Sequence, residues 1–187
     1  SRDLALAGGS EGAIAWATYL SKGTTFINLF RGHGVPEWYL NQFHAYASNY
    51  LSNPILILAS FVLPILAYSS LFLVKDKKEK FYIFFFTILS LVTLVFAAGP
   101  GSQLGIIFEA FTRYVPGFSI FRSAYYKFDY TFYFSIGILI GFSLNWILLK
   151  IEKLRFWRLN TKLLTGLLVI SLILGYLLYH YPFLNGS

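Results

Sequence analysis

The chain has 187 residues, of which 57% are hydrophobic, 20% are aromatic and only 12% are charged. Soluble domains usually carry about 25% charged residues, so this composition is typical of a membrane protein. The absence of cysteine excludes disulfides, a thiol nucleophile and cysteine-ligated zinc. The formal net charge of +7 is concentrated in two short loops, which favours a role in membrane topology over binding to nucleic acid.

The chain begins Ser-Arg-Asp, has no methionine and lacks a signal-peptide pattern, so we expect an interior or C-terminal segment of a longer protein. Residues 1–53 are predicted to lie outside the membrane as short interfacial helices and loops. Their apolar run from Gly12 to Leu20 is too short to span a bilayer. The side chains of Trp38 and Tyr39 suit the depth of the lipid headgroups.

Within this first segment, the sequence RGHGVPEW places a histidine and a glutamate in a tight turn. His33 is a candidate for substrate binding and Glu37 for a catalytic base, because imidazole and carboxylate groups exchange protons readily. One local histidine and one local glutamate are too few for a metal site, so we predict neither a metal nor a cofactor. A polar interfacial loop without catalytic function is the simpler interpretation.

Four runs of about 18 or more apolar residues predict transmembrane helices, at residues 54–74, 81–98, 130–149 and 163–179. The expected fold is therefore an all-α polytopic integral membrane protein, with a membrane domain over residues 54–187 and interfacial helices outside it. Pro64 lies inside the first span, where a kink is tolerated if neighbouring groups satisfy the freed carbonyl.

The short loops at residues 75–80 and 150–162 contain nine of the fifteen basic residues and only three of the eight acidic ones. The positive-inside rule therefore assigns both loops to the cytoplasmic side. Residues 1–53 and the loop at 99–129 then lie outside. We expect the chain to be a multi-pass protein of a prokaryotic cytoplasmic membrane, with the lipid bilayer as a partner and no nucleic acid.

The outer loop at residues 99–129 is predicted to contain a second interfacial helix. Apolar residues share one helical stripe between Leu104 and Val115, and Glu109 and Arg113 form an i,i+4 pair on another face. Pro116 and the glycine after it end the helix.

The stretch FRSAYYKFDY opens the third span with Arg122, Lys127 and Asp129. The two cations are five residues apart, about 140° around a helix, so a bend is needed to aim both at one target. They are candidates for binding phosphate, with Arg113 as a further cation, and Asp129 is a second candidate for a catalytic base. The alternative is that they anchor the span at the headgroups, with Tyr125 in an aromatic belt.

The third span also carries Gly137 and Gly141 in the sequence GILIG, which predicts a face for helix packing against the rest of the protein. The spans contain no clear mid-membrane ionisable residue. This absence disfavours a proton-coupled transporter or an ion pump, both of which place such residues at membrane depth.

The order RYVPGFSIFRSAYYKFDY resembles a proline, Phe-Arg, Lys-Phe pattern found late in polytopic glycosyltransferases of the GT-C class, especially the arabinofuranosyltransferase-like and teichoic-acid-glycosylating families. The stretches NLFRGHGVPEWY and YLSNPILILASFVLPILAYSSLF are similar to an outer loop and the following span in those proteins. The resemblance covers residues 25–149, and this chain has SAYY where the family usually has a proline.

The resemblance implies a membrane enzyme that transfers a sugar from a polyprenyl-phosphate donor to a glycan or lipid of the cell envelope, on the outer face. Arg122 and Lys127 match the family pattern and would contact the carrier phosphate. The family's catalytic acidic residue usually lies in the first outer loop, which this segment is expected to lack. The alternatives are a non-catalytic protein of polysaccharide export or flipping, and a transporter.

The topology is tested with single cysteines, since the chain has none of its own. Ser123→Cys should react with an impermeant thiol reagent added to intact cells, and Asn160→Cys should react only after the cells are opened. Labelling of both positions, or of neither, in intact cells would contradict the predicted orientation.

Overall fold

The computed structural model describes residues 9–40, 44–153 and 161–186. All regular structure within these ranges is helical, which confirms the all-α prediction. Two 3-10 helices, Pro36–Trp38 and Phe118–Phe121, accompany ten α-helices in the described part of the chain. In chain order the α-helices are α1 (Ser10–Leu20), α2 (Phe26–Phe30), α3 (Ala47–Ser52), α4 (Pro54–Ser60), α5 (Val62–Leu73), α6 (Lys77–Ala97), α7 (Gly105–Tyr114), α8 (Ala124–Lys153), α9 (Thr161–Tyr179) and α10 (Tyr181–Asn185).

Among the described residues, three helical segments are long and apolar enough to cross a membrane. The first two, Pro54–Leu73 and Lys77–Ala97, match predicted spans. The third, Ala124–Ile151, begins six residues before the predicted start at residue 130, so the charged stretch around Lys127 is helical. The fourth predicted run lies in α9, whose apolar part Gly166–Tyr179 is shorter than the other three.

The first span is interrupted where α4 meets α5. Pro64 has no N–H to donate to the carbonyl of Ser60, four residues earlier, and its ring crowds the same turn. The two helices are separated at Phe61, whose N–H bonds to the carbonyl of Leu58 at 3.2 Å instead. The helix is therefore interrupted at Phe61, three residues before Pro64, as expected where a proline lies inside a helical run.

One compact unit comprises Phe85–Ile136 together with the described residues up to His44. In it α1 packs on α7 and on the 3-10 helix Phe118–Phe121, and its core contains Ala17, Phe108 and Ala124. Aromatic rings surround these residues at centroid distances of 5.1 to 5.6 Å, including the pairs of Phe96 with Phe111, Phe118 and Phe128. Each such pair contributes about 0.5–1.5 kcal/mol beyond the area it buries.

The predicted helix in the outer loop is confirmed as α7, which ends at Tyr114 just before Pro116. Gly117 follows with φ of 80°, a left-handed conformation that glycine adopts without strain. Of the predicted apolar stripe, Phe108 is buried, whereas Phe111 remains 41% exposed.

The second compact unit comprises Ala45–Phe84 and the described residues from Gly137 onward. Here α8 packs on α5 through small polar side chains, since Ser143 Oγ donates to the carbonyl of Leu66 at 2.6 Å and lies 3.1 Å from Ser69 Oγ. The hydroxyl of Tyr50 donates to the carbonyl of Tyr179 at 3.0 Å.

The face that α8 buries within this unit differs from the predicted glycine face. A Cβ added at Gly137 or Gly141 would meet nothing within 4 Å, whereas Leu139 and Ser143 are fully buried. Serine therefore supplies the close helix contact here, because its small hydroxyl can bond to a facing carbonyl. A contact of the glycine face with other parts of the protein stays a prediction.

The two predicted cytoplasmic loops differ in how much of them the structure describes. At residues 75–80, Asp76 Oδ1 caps α6 by accepting the N–H groups of Lys78 and Glu79 at 2.9 and 3.0 Å. In the second loop, α8 continues to Lys153, and residues 154–160 lie outside the described residues.

Candidate functional site at the start of α8

The turn after α2 is fixed by hydrogen bonds between its own residues. The Arg31 guanidinium is buried, and its Nε donates to Asn28 Oδ1 at 3.0 Å. The His33 N–H donates to the carbonyl of Asn28 at 2.7 Å. His33 Nδ1 lies 2.7 Å from the carbonyl of Arg31, and because a carbonyl only accepts, that nitrogen carries the proton.

The following 3-10 helix holds Glu37 against this turn. The His33 ring is 5% exposed and packs edge-on against Trp38 with centroids 5.4 Å apart. The Tyr39 hydroxyl donates to the carbonyl of His33 at 2.6 Å. His33, predicted as a substrate-binding residue, is thus placed inside the turn, where it supports Glu37.

A stripe of polar groups faces this turn from the first turns of α8. Tyr125, Asp129 and Tyr133 are spaced four residues apart, so they share one face of the helix. The hydroxyls of both tyrosines interact favourably with the half-buried carboxylate of Asp129. A buried carboxylate without such donors would carry a large desolvation cost.

Two glycines let the turn approach this stripe. A Cβ built on Gly32 would lie 3.4 Å from the Tyr133 hydroxyl, and Gly32 has φ of 84°. A Cβ on Gly34 would lie 3.0 Å from the Tyr125 ring and 2.2 Å from Leu29 Cδ2. Since Leu29 is 1% exposed, it has no room to move away, so the sequence RGHG requires glycine at its last position.

Glu37 joins the same region through a second tyrosine. The hydroxyl of Tyr126 donates to Glu37 Oε1 across 89 positions of sequence. The two carboxylates proposed as catalytic bases, Glu37 and Asp129, are therefore both held at the first turns of α8. The sequence offered Tyr125 and Tyr126 only as an aromatic belt, in the alternative to phosphate binding, and it did not predict the Tyr126–Glu37 bond; the Tyr-x3-Asp-x3-Tyr spacing was a readable signal for the polar stripe alone.

The two candidate phosphate-binding cations lie at the same end of α8. Arg122 follows the 3-10 helix Phe118–Phe121, and the chain bends at Ser123 before α8 begins. Both Arg122 and Lys127 are exposed, and neither side chain has a hydrogen-bond or ion-pair partner among the residues that the structure describes. Lys127 is two residues from Tyr125, about 200° around the helix, and so projects away from the Asp129 stripe.

The third candidate cation, Arg113, is engaged elsewhere. Its guanidinium pairs with both carboxylate oxygens of Glu11 on α1, at 2.5 and 3.4 Å. The predicted partner was Glu109, one turn earlier on the same helix, and that prediction is wrong. The tertiary packing of α1 on α7 brings a carboxylate that offers the bidentate geometry arginine prefers.

Across the described residues, no three histidine, aspartate or glutamate side chains come together as metal ligands. No protein-family model, curated protein or solved structure matches the chain. The function is therefore argued from the geometry of this site.

Burial raises the pKa of the Tyr39 hydroxyl to about 12, and the nearby Arg31 charge only partly offsets that rise. Because the folded pKa exceeds the unfolded value of 10.0, the protonated phenol stabilises the fold up to about pH 10. That stabilisation should be lost as the pH rises towards 12. We expect Tyr39→Phe to show a smaller loss of thermal stability between pH 10 and 12 than the unsubstituted chain. An identical pH dependence in the two proteins would contradict this burial.

Proposed function

We propose that this chain is part of a GT-C-class membrane glycosyltransferase that takes its sugar from a polyprenyl-phosphate donor on the outer face of a prokaryotic cytoplasmic membrane. In this proposal the chain belongs to a polytopic membrane domain, with α1 to α3 and α7 lying at the outer interface. The acceptor is a glycan or lipid of the cell envelope. The resemblance of FRSAYYKFDY and its flanks to that class motivates the proposal.

The main structural support for this proposal is the exposure of Arg122 and Lys127 and their lack of a side-chain partner among the described residues. Cations that only anchor a fold generally pair with a carboxylate or a carbonyl, as Arg113 does with Glu11. These two are exposed, lack a side-chain partner among the described residues, and flank the start of a membrane-spanning helix. A carrier phosphate in the headgroup layer approaches from the lipid side, where an arginine fork and a lysine ammonium bind it strongly.

The prenyl tail of such a donor needs an apolar surface that continues into the membrane. The helices offer one, since large apolar side chains on the spans are exposed. Tyr130 and Phe134 on α8 are 77% and 60% exposed, one and two turns beyond the cations. A prenyl chain and a lipid acyl chain are equally apolar. Lipid acyl chains therefore cover this surface when no donor is bound, and the prenyl chain replaces them when one is.

Between the two carboxylates, Glu37 suits the role of base better. Asp129 is on the stripe that faces the packed turn, between Tyr125 and Tyr133, whereas Glu37 accepts a hydrogen bond from Tyr126, whose side chain is exposed. Around the helix axis, Tyr126 is about 100° from Lys127, and this angle is smaller than the angle between Lys127 and Asp129. Glu37 would take the proton of the acceptor hydroxyl as that oxygen bonds to the anomeric carbon. The bond from that carbon to the phosphate oxygen breaks, and polyprenyl phosphate leaves.

The test uses the full-length protein in native membranes with a polyprenyl-phosphate sugar donor. Arg122→Ala and Lys127→Ala should each lower kcat/KM for the donor about tenfold or more, because each removes a charge-assisted hydrogen bond to phosphate. Lys22→Ala is the matched control, since Lys22 is an exposed cation in the same unit. It should leave transfer unchanged.

Glu37→Gln in the same assay should lower kcat about a hundredfold or more, as expected for a lost general base. All variants must insert into the membrane as the unsubstituted protein does. Transfer that survives Arg122→Ala and Lys127→Ala unchanged would overturn the proposal and favour a non-catalytic export or flipping component.

A further inference from the structure

A groove of about 380 Å³ lies at the first turns of α6, within the second compact unit. One part of its wall is apolar and consists of Leu71, Phe81, Ile83 and Phe84. The rest is formed by Lys77 and Lys80. This volume falls within the range of about 300–1,000 Å³ typical of small-molecule sites.

The two lysines are spaced three residues apart, so both lie on one side of the first turn of α6. They are exposed, and neither side chain has a hydrogen-bond or ion-pair partner in the described part of the chain. Two unpaired ammonium groups above an aromatic and aliphatic wall form an amphipathic surface. A ligand that matches it has an anionic head and a hydrocarbon tail.

The net charge of the surrounding loop also favours binding of an anion, although two residues of the loop are acidic. Lys75 and Lys78 add positive charge, while Asp76 and Glu79 subtract it, which leaves the 75–80 loop at a net charge of +2. The Asp76 carboxylate is already bonded to the N–H groups of Lys78 and Glu79. The N–H groups at the amino-terminal end of α6 are therefore already capped by Asp76. The lysine side chains remain as the groups that can bind an anion.

The position of the groove indicates that this ligand comes from the membrane and not from solution. It lies where two membrane-spanning helices meet, Pro54–Leu73 and Lys77–Ala97. Lysines at the end of a span lie at headgroup depth, and the apolar wall beyond them faces acyl chains. Soluble phosphates would gain nothing from Phe81 and Phe84, whereas a phospholipid uses both halves of the surface.

We propose that this groove binds an anionic membrane phospholipid, with its headgroup phosphate between Lys77 and Lys80 and an acyl chain along Leu71 and Phe84. The site is separate from the glycosyltransferase site and does not depend on that function.

The experiment reconstitutes the chain in bilayers of phosphatidylcholine and phosphatidylglycerol in equal amounts, extracts it in detergent and measures the co-purifying lipid by mass spectrometry. We expect phosphatidylglycerol to be enriched over phosphatidylcholine. Lys77→Gln/Lys80→Gln should reduce that enrichment about tenfold or more, since each variant lysine loses a charge-assisted hydrogen bond to the headgroup phosphate.

Lys75→Gln/Lys78→Gln is the matched control, because it removes the same charge from lysines that do not line the groove. It should reduce the enrichment by much less. An equal loss in both pairs would show that the loop attracts anionic lipid by charge alone and would overturn the proposal, as would no enrichment in the unsubstituted chain. Displacement of phosphatidylglycerol by inorganic phosphate would also overturn it, since the apolar wall would then contribute nothing. An unchanged elution profile establishes that each variant is folded.

Discussion

The carboxylate of Asp129 is the constraint on which the first compact unit depends. It lies in the second turn of a helix long and apolar enough to cross a membrane, where an unpaired charge is costly. The hydroxyls of Tyr125 and Tyr133, one turn away on either side, interact favourably with this carboxylate. This arrangement gives α8 a polar stripe at one end, and the stripe determines which part of the chain can pack there.

The segment that packs on the stripe matches it in shape and in hydrogen bonding. Gly32 and Gly34 lack the side chains that would keep the backbone away from the tyrosine rings. The buried side chains of Arg31 and His33 then give the turn internal hydrogen bonds, which fix its conformation. As a result Glu37 accepts a hydrogen bond from Tyr126, in the first turn of α8.

The acidic and basic side chains at the start of α8 lie on different faces of the helix. Asp129 faces the packed turn, whereas Lys127 projects to the opposite side with no partner among the described residues. This separation distinguishes a structural carboxylate from a cation that remains open to a ligand. The proposed donor site therefore lies on the lipid side of α8, with Glu37 and Tyr126 between the two faces.

The helical fold and the three helices long and apolar enough to cross a membrane were predictable from hydropathy, because an apolar run of that length has few other stable structures. The ends of the helices were less predictable. The third of these helices starts at Ala124, six residues before the predicted start, because the polar residues of its first turns are helical although they lower the mean hydropathy.

The contacts of the site depend on tertiary packing, which sequence spacing does not report. Arg113 has an acceptable i,i+4 partner in Glu109, yet it pairs with Glu11 because α1 packs on α7. The glycines of GILIG suggested a close helix contact, but within the second compact unit Ser143 makes it by bonding to a backbone carbonyl. Only the Tyr-x3-Asp-x3-Tyr spacing carried a local signal for the site.

The most direct test of this account is a double-mutant cycle on the free energy of unfolding in detergent, with Glu37→Gln, Tyr126→Phe and the double variant. This pair joins the amino-terminal turn to α8 by one side-chain hydrogen bond. The account predicts a coupling energy of about 1 kcal/mol, because the bond is charge-assisted but partly exposed to solvent. Fully additive effects would contradict the claim that tyrosine-carboxylate bonds hold this turn on α8.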